Sequence, residues 1–170
     1  RYGRETVEAY MQHLQQAAGQ KLQLALARFP AGSYSFTDHL DDGSPIMATI
    51  SISLSSLTPL PSRSEIRRGG SKSRRGGEVP GEVESPVALT IDFTGTGSVL
   101  ASNLNAPPAV TKAAVMYVLR TLIAEDIPLN DGIMSAVRII LPDCLLNPPP
   151  HDDPTRCPAV AGGNVETSQR

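Results

Sequence analysis

Asparagine and glycine residues form the most promising chemical groups in this sequence. Asn103 and Asn105 precede a proline pair that opens a predicted helix, and Asn164 follows Gly162 and Gly163 at a second predicted helix start. Free backbone N–H groups at a glycine-flanked helix N-terminus bind carboxylates and phosphates. Asparagine is also a preferred N-cap residue, so helix capping is the alternative for these positions. The pattern predicts either an anion-binding site or two capped helices.

The sequence has no nucleotide-binding loop. Gly95 and Gly97 follow a predicted strand, but Leu100 stands where the third glycine of the dinucleotide-binding fingerprint would fall. No G-x-x-x-x-G-K-[ST] motif occurs in the 170 residues. We therefore expect the two glycines to serve a turn, and we expect any ATP to bind outside this sequence.

Two histidines lie beside aspartates and raise the question of a metal site. His39 follows Asp38, and His151 precedes two aspartates. Imidazole and carboxylate groups are both metal ligands, but neither cluster has the second histidine that catalytic metal centres commonly use. The aspartates also stand where turn chemistry alone would place them. His13 lies within a predicted helix without a carboxylate three or four residues away, so we assign no metal ligand.

Composition describes one ordinary domain with no extreme charge. The chain has 170 residues, a net charge of −2, 19% charged residues and 4% aromatic residues without tryptophan. A charge so close to zero favours neither nucleic acid nor a membrane surface as a partner. The longest apolar stretch, 109–124, contains Lys112 and Arg120 and is too short to cross a bilayer. With no secretory signal at residue 1, and with Cys144 and Cys157 expected as free thiols, we predict a cytoplasmic location.

Hydrophobic periodicity predicts an α+β fold with a mixed β-sheet and long amphipathic helices. Apolar residues recur at helical spacing in two segments and alternate or cluster in four others. The predicted helices cover 5–29 and 107–124, and the predicted strands cover 33–38, 46–57, 87–93 and 136–141. A proline-rich surface crossing is predicted at 142–158, and the start of a further helix at Asn164.

Residues 59–84 differ from the rest of the chain. Proline, glycine and serine alternate there with six basic and four acidic residues. This composition favours a disordered insertion between two strands of one domain that covers residues 1–170. A docking or nucleic-acid-binding arm is the alternative, but the absence of aromatics and the balancing glutamates favour a solvated loop.

Four phrases of the sequence resemble the hydantoinase B/5-oxoprolinase family. They are DFTGTG at 92–97, NLNAPPAVT at 103–111, DIPLNDG at 126–132 and AGGNVETSQR at 161–170. Their order and spacing make the resemblance specific, and it covers nearly the whole chain outside two loops, 59–84 and 151–157. Family members are several times longer, so we expect an internal fragment of the B-type half of a larger multi-domain enzyme.

The resemblance implies an ATP-dependent amidohydrolase. In the 5-oxoprolinase reaction, 5-oxo-L-proline, ATP and water give glutamate, ADP and phosphate. An unstrained lactam is a poor electrophile, and phosphorylation of its oxygen by a hydantoinase A-type half makes hydrolysis feasible. A hydantoinase or ketone carboxylase subunit of the same family, and a non-catalytic structural or binding segment, are the alternatives.

The resemblance also implies cofactors and partners. These are ATP and a divalent metal with ligands outside this sequence, a small cyclic amide, an A-type half that is fused or separate, and a homo-oligomeric full-length enzyme. This chain alone is expected to be inactive. No catalytic residue is assigned. The predicted substrate-binding residues are Asn103, Asn105, Gly162, Gly163, Asn164 and, as an anion partner, Arg170.

Overall fold

A computed structural model describes residues 2–53, 89–123 and 130–170 of the chain. Its helices and strands are α1 (Arg4–Leu26), β1 (Gly32–His39), β2 (Pro45–Ile52), β3 (Leu89–Asp92), α2 (Pro108–Thr121) and β4 (Val137–Ile140). Short 3₁₀ helices at Asp131–Ala136, Pro154–Arg156 and Thr167–Gln169 lie in the connections. The α+β fold class is confirmed. The predicted insertion at 59–84 lies outside the described residues and stays a prediction.

The four strands form one mixed sheet in the order β1-β2-β3-β4. The pairs β1–β2 and β2–β3 are antiparallel, whereas β3–β4 is parallel and is connected through α2. The register aligns four apolar residues in one row across the sheet, Tyr34, Ile50, Ile91 and Ile139. Because side chains alternate along a strand, the neighbouring rows present hydroxyl groups on the opposite face, where the Ser35 and Thr49 oxygens are 2.9 Å apart. The sheet therefore has one apolar face and one polar face.

Helix α1 is buried only in its second half. Its predicted range was 5–29, and the helix ends at Leu26 because the last turn tightens, with Arg28 N–H donating to Ala25 O and Phe29 N–H donating to Leu26 O. The buried residues of the second half are Ala18, Gly19, Leu22, Ala25 and Leu26. The first half carries apolar residues at the same spacing, but these are exposed, namely Val7, Tyr10, Met11 and Leu14. Among the described residues, neither helix is long and apolar enough to cross a membrane.

Two local predictions were wrong. Residues 142–158 were predicted to cross the surface, but Cys144, Leu145 and Leu146 are buried in the core and are at most 5% exposed. The Leu145 backbone pairs with Gly97 O and Ala106 N–H, and this pairing draws the segment inwards. The predicted helix start at Asn164 is instead a series of turns followed by the 3₁₀ helix Thr167–Gln169.

Candidate functional site

The two asparagine-containing segments lie against each other. The N–H groups of Gly162 and Gly163 both donate to Asn103 O, at 2.9 and 3.1 Å. The Thr167 hydroxyl donates to Leu104 O at 2.6 Å. We call this contact between residues 103–106 and 159–167 the loop junction. It brings together five of the six predicted substrate-binding residues, which are far apart in the sequence.

Close backbone approach explains the glycine pair of the loop junction. A Cβ atom at Gly163 would collide with Asn105 O, and a Cβ atom at Gly162 would be 2.9 Å from Asn103 Oδ1. Neither glycine has a positive φ angle, so the requirement is space and not backbone conformation. A side chain at Gly163 would push the two segments apart.

Asn105 holds the loop junction together from inside. It is fully buried, and its Oδ1 accepts from Leu100 N–H at 2.7 Å. Its Nδ2 donates to Leu100 O, Ser102 O and Ala159 O at 2.9, 3.2 and 3.0 Å. Helix capping, the alternative for this position, is wrong, because the N-cap of α2 is Pro107 and receives no side-chain hydrogen bond. The amide of Asn105 is instead committed to loop backbone.

The exposed amides of the loop junction belong to Asn103 and Asn164. Between this surface and the interior lies Glu166, whose Oε1 is buried and has no hydrogen-bond partner within the described ranges. Sequence reasoning missed Glu166 because nothing in its local pattern distinguishes it from a solvated glutamate.

Arg170 has a different neighbour. Its Nη2 is 2.8 Å from Asp41 Oδ1, and its side chain is 34% exposed. Asp41 lies in the turn between β1 and β2. The ion pair therefore connects this turn to the chain that follows the 3₁₀ helix Thr167–Gln169.

Gly95, the first of the two glycines that follow β3, lies in a turn, as predicted, whereas the N–H of Gly97 donates to Pro45 O at the start of β2, at 2.8 Å. Gly95 has a φ angle of +99°, in the region that favours glycine. The Thr96 hydroxyl accepts from Met47 N–H and donates to Met47 O, both at 3.1 Å, so it extends the contact with β2. Hydrogen bonds from Thr94 to Asp92 lower the pKa of that carboxyl group.

The described residues hold one buried and one exposed free thiol, and no metal site emerges from them. Burial raises the pKa of the Cys144 thiol, which leaves it protonated at neutral pH, and Cys157 is an exposed free thiol. No group of three histidine, cysteine or acidic side chains within 2–53, 89–123 and 130–170 is placed to hold a metal ion. The described residues therefore do not supply the ligands of a resident metal.

The chain matches the family model for hydantoinase B/oxoprolinase over residues 1–58 and 77–170. The chain therefore belongs to the hydantoinase B/oxoprolinase family. The match omits 59–76, which falls within the segment predicted to be an insertion. It includes the third phrase, of which 126–129 lie outside the described residues.

Particular relatives are much longer than this chain. It is 36% identical to an uncharacterized protein of Schizosaccharomyces pombe and 33% identical to 5-oxoprolinase of Saccharomyces cerevisiae, in each case over 99% of this chain and 10–11% of the relative. It is 49% identical to 5-oxoprolinase 1 of Arabidopsis thaliana over 48% of this chain and 6% of that protein. The chain thus spans about a tenth of the length of the curated relatives that it matches end to end. No solved structure matches it.

Proposed function

We propose that this chain forms part of an ATP-dependent, oxoprolinase-type hydrolase that opens a small cyclic amide. Membership of the family and similarity to proteins named 5-oxoprolinase support this proposal. The loop junction is the observation that connects this proposal to particular residues. There, two family phrases meet through the hydrogen bonds from Gly162 and Gly163 to Asn103.

The overall reaction that we propose is the hydrolysis of 5-oxo-L-proline coupled to that of ATP. One water molecule adds across the ring C–N bond to give L-glutamate, and a second accounts for the conversion of ATP to ADP and phosphate. The described residues supply neither a metal site nor a phosphate-binding loop, so their contribution is to bind and orient the ring substrate.

Within this function, Asn103 and Asn164 offer exposed amide groups to the substrate. Gly162, Gly163 and Asn105 act on the same site by fixing the distance between the two segments. Arg170 supplies the cation for an anionic group of the substrate, in exchange with its bond to Asp41.

The remaining requirements of the activity lie outside this sequence in our proposal. They are ATP, a divalent metal with its ligands, and a hydantoinase A-type half, assembled in a cytoplasmic homo-oligomer. We therefore expect residues 1–170 by themselves to release no ADP.

The test is ADP release by the intact protein together with its A-type half, measured with and without 5-oxo-L-proline and beside a panel of hydantoins. We expect ADP and glutamate to be produced together in equal amounts. Stimulation by a hydantoin, or none by 5-oxo-L-proline in a folded preparation, would contradict the oxoprolinase assignment.

A further inference from the structure

The two edge strands of the sheet differ in how they are protected. Strand β4 has four residues, carries the exposed Arg138 and is followed closely by Pro142. Short strands, charged side chains and prolines are devices that keep a sheet edge from pairing with another chain. Strand β1 has eight residues, and from Gly32 to Thr37 it contains neither a charged residue nor a proline. Strand β1 is therefore the unprotected edge of the sheet.

The backbone of β1 is suited to pairing on its outer side. Its register with β2 runs without interruption from the pair Gly32–Ile52 to the pair His39–Pro45, so no bulge turns the edge away. Strand β1 is the outermost strand, and none of the described strands lies against its outer side. The N–H and C=O groups along such an edge form a template for one more strand.

The apolar face of the sheet is uncovered towards β1. Along its apolar row the exposed fraction rises from 6% at Ile91 to 39% at Ile50 and 49% at Tyr34. Phe36, on the same face of β1, is 69% exposed. An apolar groove of about 750 Å³ between α2 and the sheet reaches as far as Tyr34. The cover of this face therefore ends before β1, and two aromatic side chains are left exposed at the edge.

The sequence of β1 is nearly the same in both directions from Ser35. A hydroxyl residue lies two positions away on each side, Ser33 and Thr37, and an aromatic residue lies one position away on each side, Tyr34 and Phe36. An interface between two copies about a two-fold axis uses the same surface twice, so that surface has to be complementary to itself. This symmetry of β1 meets that requirement and selects a second copy as the partner.

Both faces of an antiparallel β1–β1 pair are chemically matched when the two-fold axis passes through Ser35. On the apolar face, Tyr34 of each copy lies opposite Phe36 of the other, and such aromatic cross-strand pairs stabilise a sheet. On the polar face, hydroxyl groups lie opposite hydroxyl groups, as they already do within the sheet, where the Ser35 and Thr49 oxygens are 2.9 Å apart. Asp38, the one acidic residue of β1, lies opposite Gly32, so no carboxylates face each other.

We propose that β1 pairs with β1 of a second copy, antiparallel and with Ser35 on the two-fold axis. The pairing joins two four-stranded sheets into one continuous sheet and covers the exposed aromatic side chains of the edge. The inference rests on the proposed function only in that it names the interface of the proposed homo-oligomer. The pairing itself follows from β1.

Cysteine cross-linking of the intact protein tests the register. In the proposed pair, Ser35 lies opposite its own copy at a Cα–Cα distance of about 4.5–5.5 Å, which a disulfide spans. Ser33→Cys is the matched control on the same strand and face, because its two copies are four residues, or about 14 Å, apart. We expect mild oxidation to give a covalent dimer of Ser35→Cys and none of Ser33→Cys above the background of the wild type, which contains Cys144 and Cys157.

Co-expression of two variants gives a second reading of the register. Ser33→Cys and Thr37→Cys lie opposite each other in the proposed pair, so together they should form a mixed disulfide that neither forms with itself. Absence of a covalent dimer from Ser35→Cys, or equal cross-linking of Ser35→Cys and Ser33→Cys, would overturn the proposal.

A charge on the two-fold axis tests the interface without oxidation. Ser35→Lys places two like charges opposite each other, which destabilises a strand pair. We expect the mass of the intact protein in solution, measured by light scattering, to fall to half. Ile140→Lys is the control, because Ile140 is an exposed residue of β4, the other edge strand. It should leave the mass unchanged. An unchanged mass in Ser35→Lys would overturn the proposal.

The outcomes separate this inference from its competitor and from the proposed function. If a strand of the same polypeptide covers β1, Ser35→Lys lowers the melting temperature but not the mass, and Ser35→Cys gives no covalent dimer. That result overturns the proposal. Neither measurement requires a substrate, so cross-linking without ADP release would retain the inference and contradict the proposed function. ADP release without cross-linking would contradict the inference and retain the proposed reaction.

Discussion

Two glycines of the family phrases lie directly on the backbone of an earlier segment, in different parts of the molecule. Gly163 lies on Asn105 O in the loop junction, and Gly132 lies on the Gln15 backbone of α1. Both are buried, and a Cβ atom at either position would collide with main-chain atoms. As features of packing, the two contacts are equivalent.

Their surroundings differ. The loop junction has the exposed amides of Asn103 and Asn164 on its outside, and on its inside Ala106 and Thr167 line a pocket of about 140 Å³ between the sheet and α2. The contact at Gly132 joins the 3₁₀ helix Asp131–Ala136 to α1, and Asn130 accepts from Gly132 N–H at 2.8 Å to fix it there. Gly132 and Gly163 thus both mark a close backbone approach, and our proposal assigns a ligand only to the approach that lies beside the exposed amides.

The largest expected effect is that of Gly163→Ala. The added methyl group would displace Asn105 O, and overpacking of this kind typically costs about 1–3 kcal/mol, with the upper end expected where backbone opposes backbone. ADP release stimulated by 5-oxo-L-proline should fall with it. Chemical denaturation measures the loss of stability, and the ADP-release assay measures the loss of activity. Gly3→Ala is the control, because no atom lies within 4 Å of a Cβ atom there.

Gly132→Ala should follow with a loss of about 2 kcal/mol in the free energy of unfolding. The cost is smaller because Asp131 and Ser135 are exposed, so the 3₁₀ helix has room to shift away from α1. Affinity of the folded protein for 5-oxo-L-proline, measured by calorimetry below the melting transition, should not change. A fall in affinity equal to that of Gly163→Ala would erase the distinction between the two regions.

Asn105→Ala tests the internal hydrogen bonds of the loop junction. It leaves the part-buried Leu100 N–H and the carbonyl of Ala159 without this partner, which costs about 1–3 kcal/mol. Chemical denaturation of Asn105→Ala and of Asn164→Ala, measured side by side, compares their free energies of unfolding. Wild-type stability in Asn105→Ala would show that water replaces the amide and that the junction does not depend on it.

The smallest effect on stability is expected for Asn164→Ala. Asn164 is exposed, and within the described ranges only its backbone carbonyl takes part in a hydrogen bond, as acceptor from Ser168, so the free energy of unfolding should change by less than about 0.5 kcal/mol. Turnover of 5-oxo-L-proline should nevertheless fall, because the amide is proposed to contact the substrate. Unchanged turnover would remove Asn164 from the site.

Most elements could be predicted from the sequence because their signals are local. The range of α2 follows from Pro107 and Pro108 and from apolar spacing, and β4 was placed within one residue at each end. The segment at Cys144–Leu146 could not be predicted, because the prolines around it indicate a surface loop. This segment is buried because the Leu145 backbone pairs with Gly97 and Ala106, and no local sequence pattern indicates that pairing.

The sequence indicated which residues belong to the candidate site, but not which residues they contact. Family phrases indicated Asn103, Asn105 and the glycine pair, but local reasoning treated Asn105 as a helix cap or a ligand group. Its contacts with Leu100 and Ala159 could not be anticipated, since they join loops whose paths depend on the rest of the fold. The pocket between the sheet, α2 and the 3₁₀ helix Thr167–Gln169 gave no local signal, because separate elements form it.

The sequence by itself determined the helices, the strands and their alternation, and the phrases that place the chain in its family. Periodicity and turn preference act within a few residues, so one segment is enough to read them. Tertiary structure alone decided that the second half of α1 is buried and the first is not, although both carry apolar residues at the same spacing. It also decided which backbone each glycine meets and which acid pairs with Arg170. Such contacts join residues remote in the chain, and only the packing of whole elements brings them together.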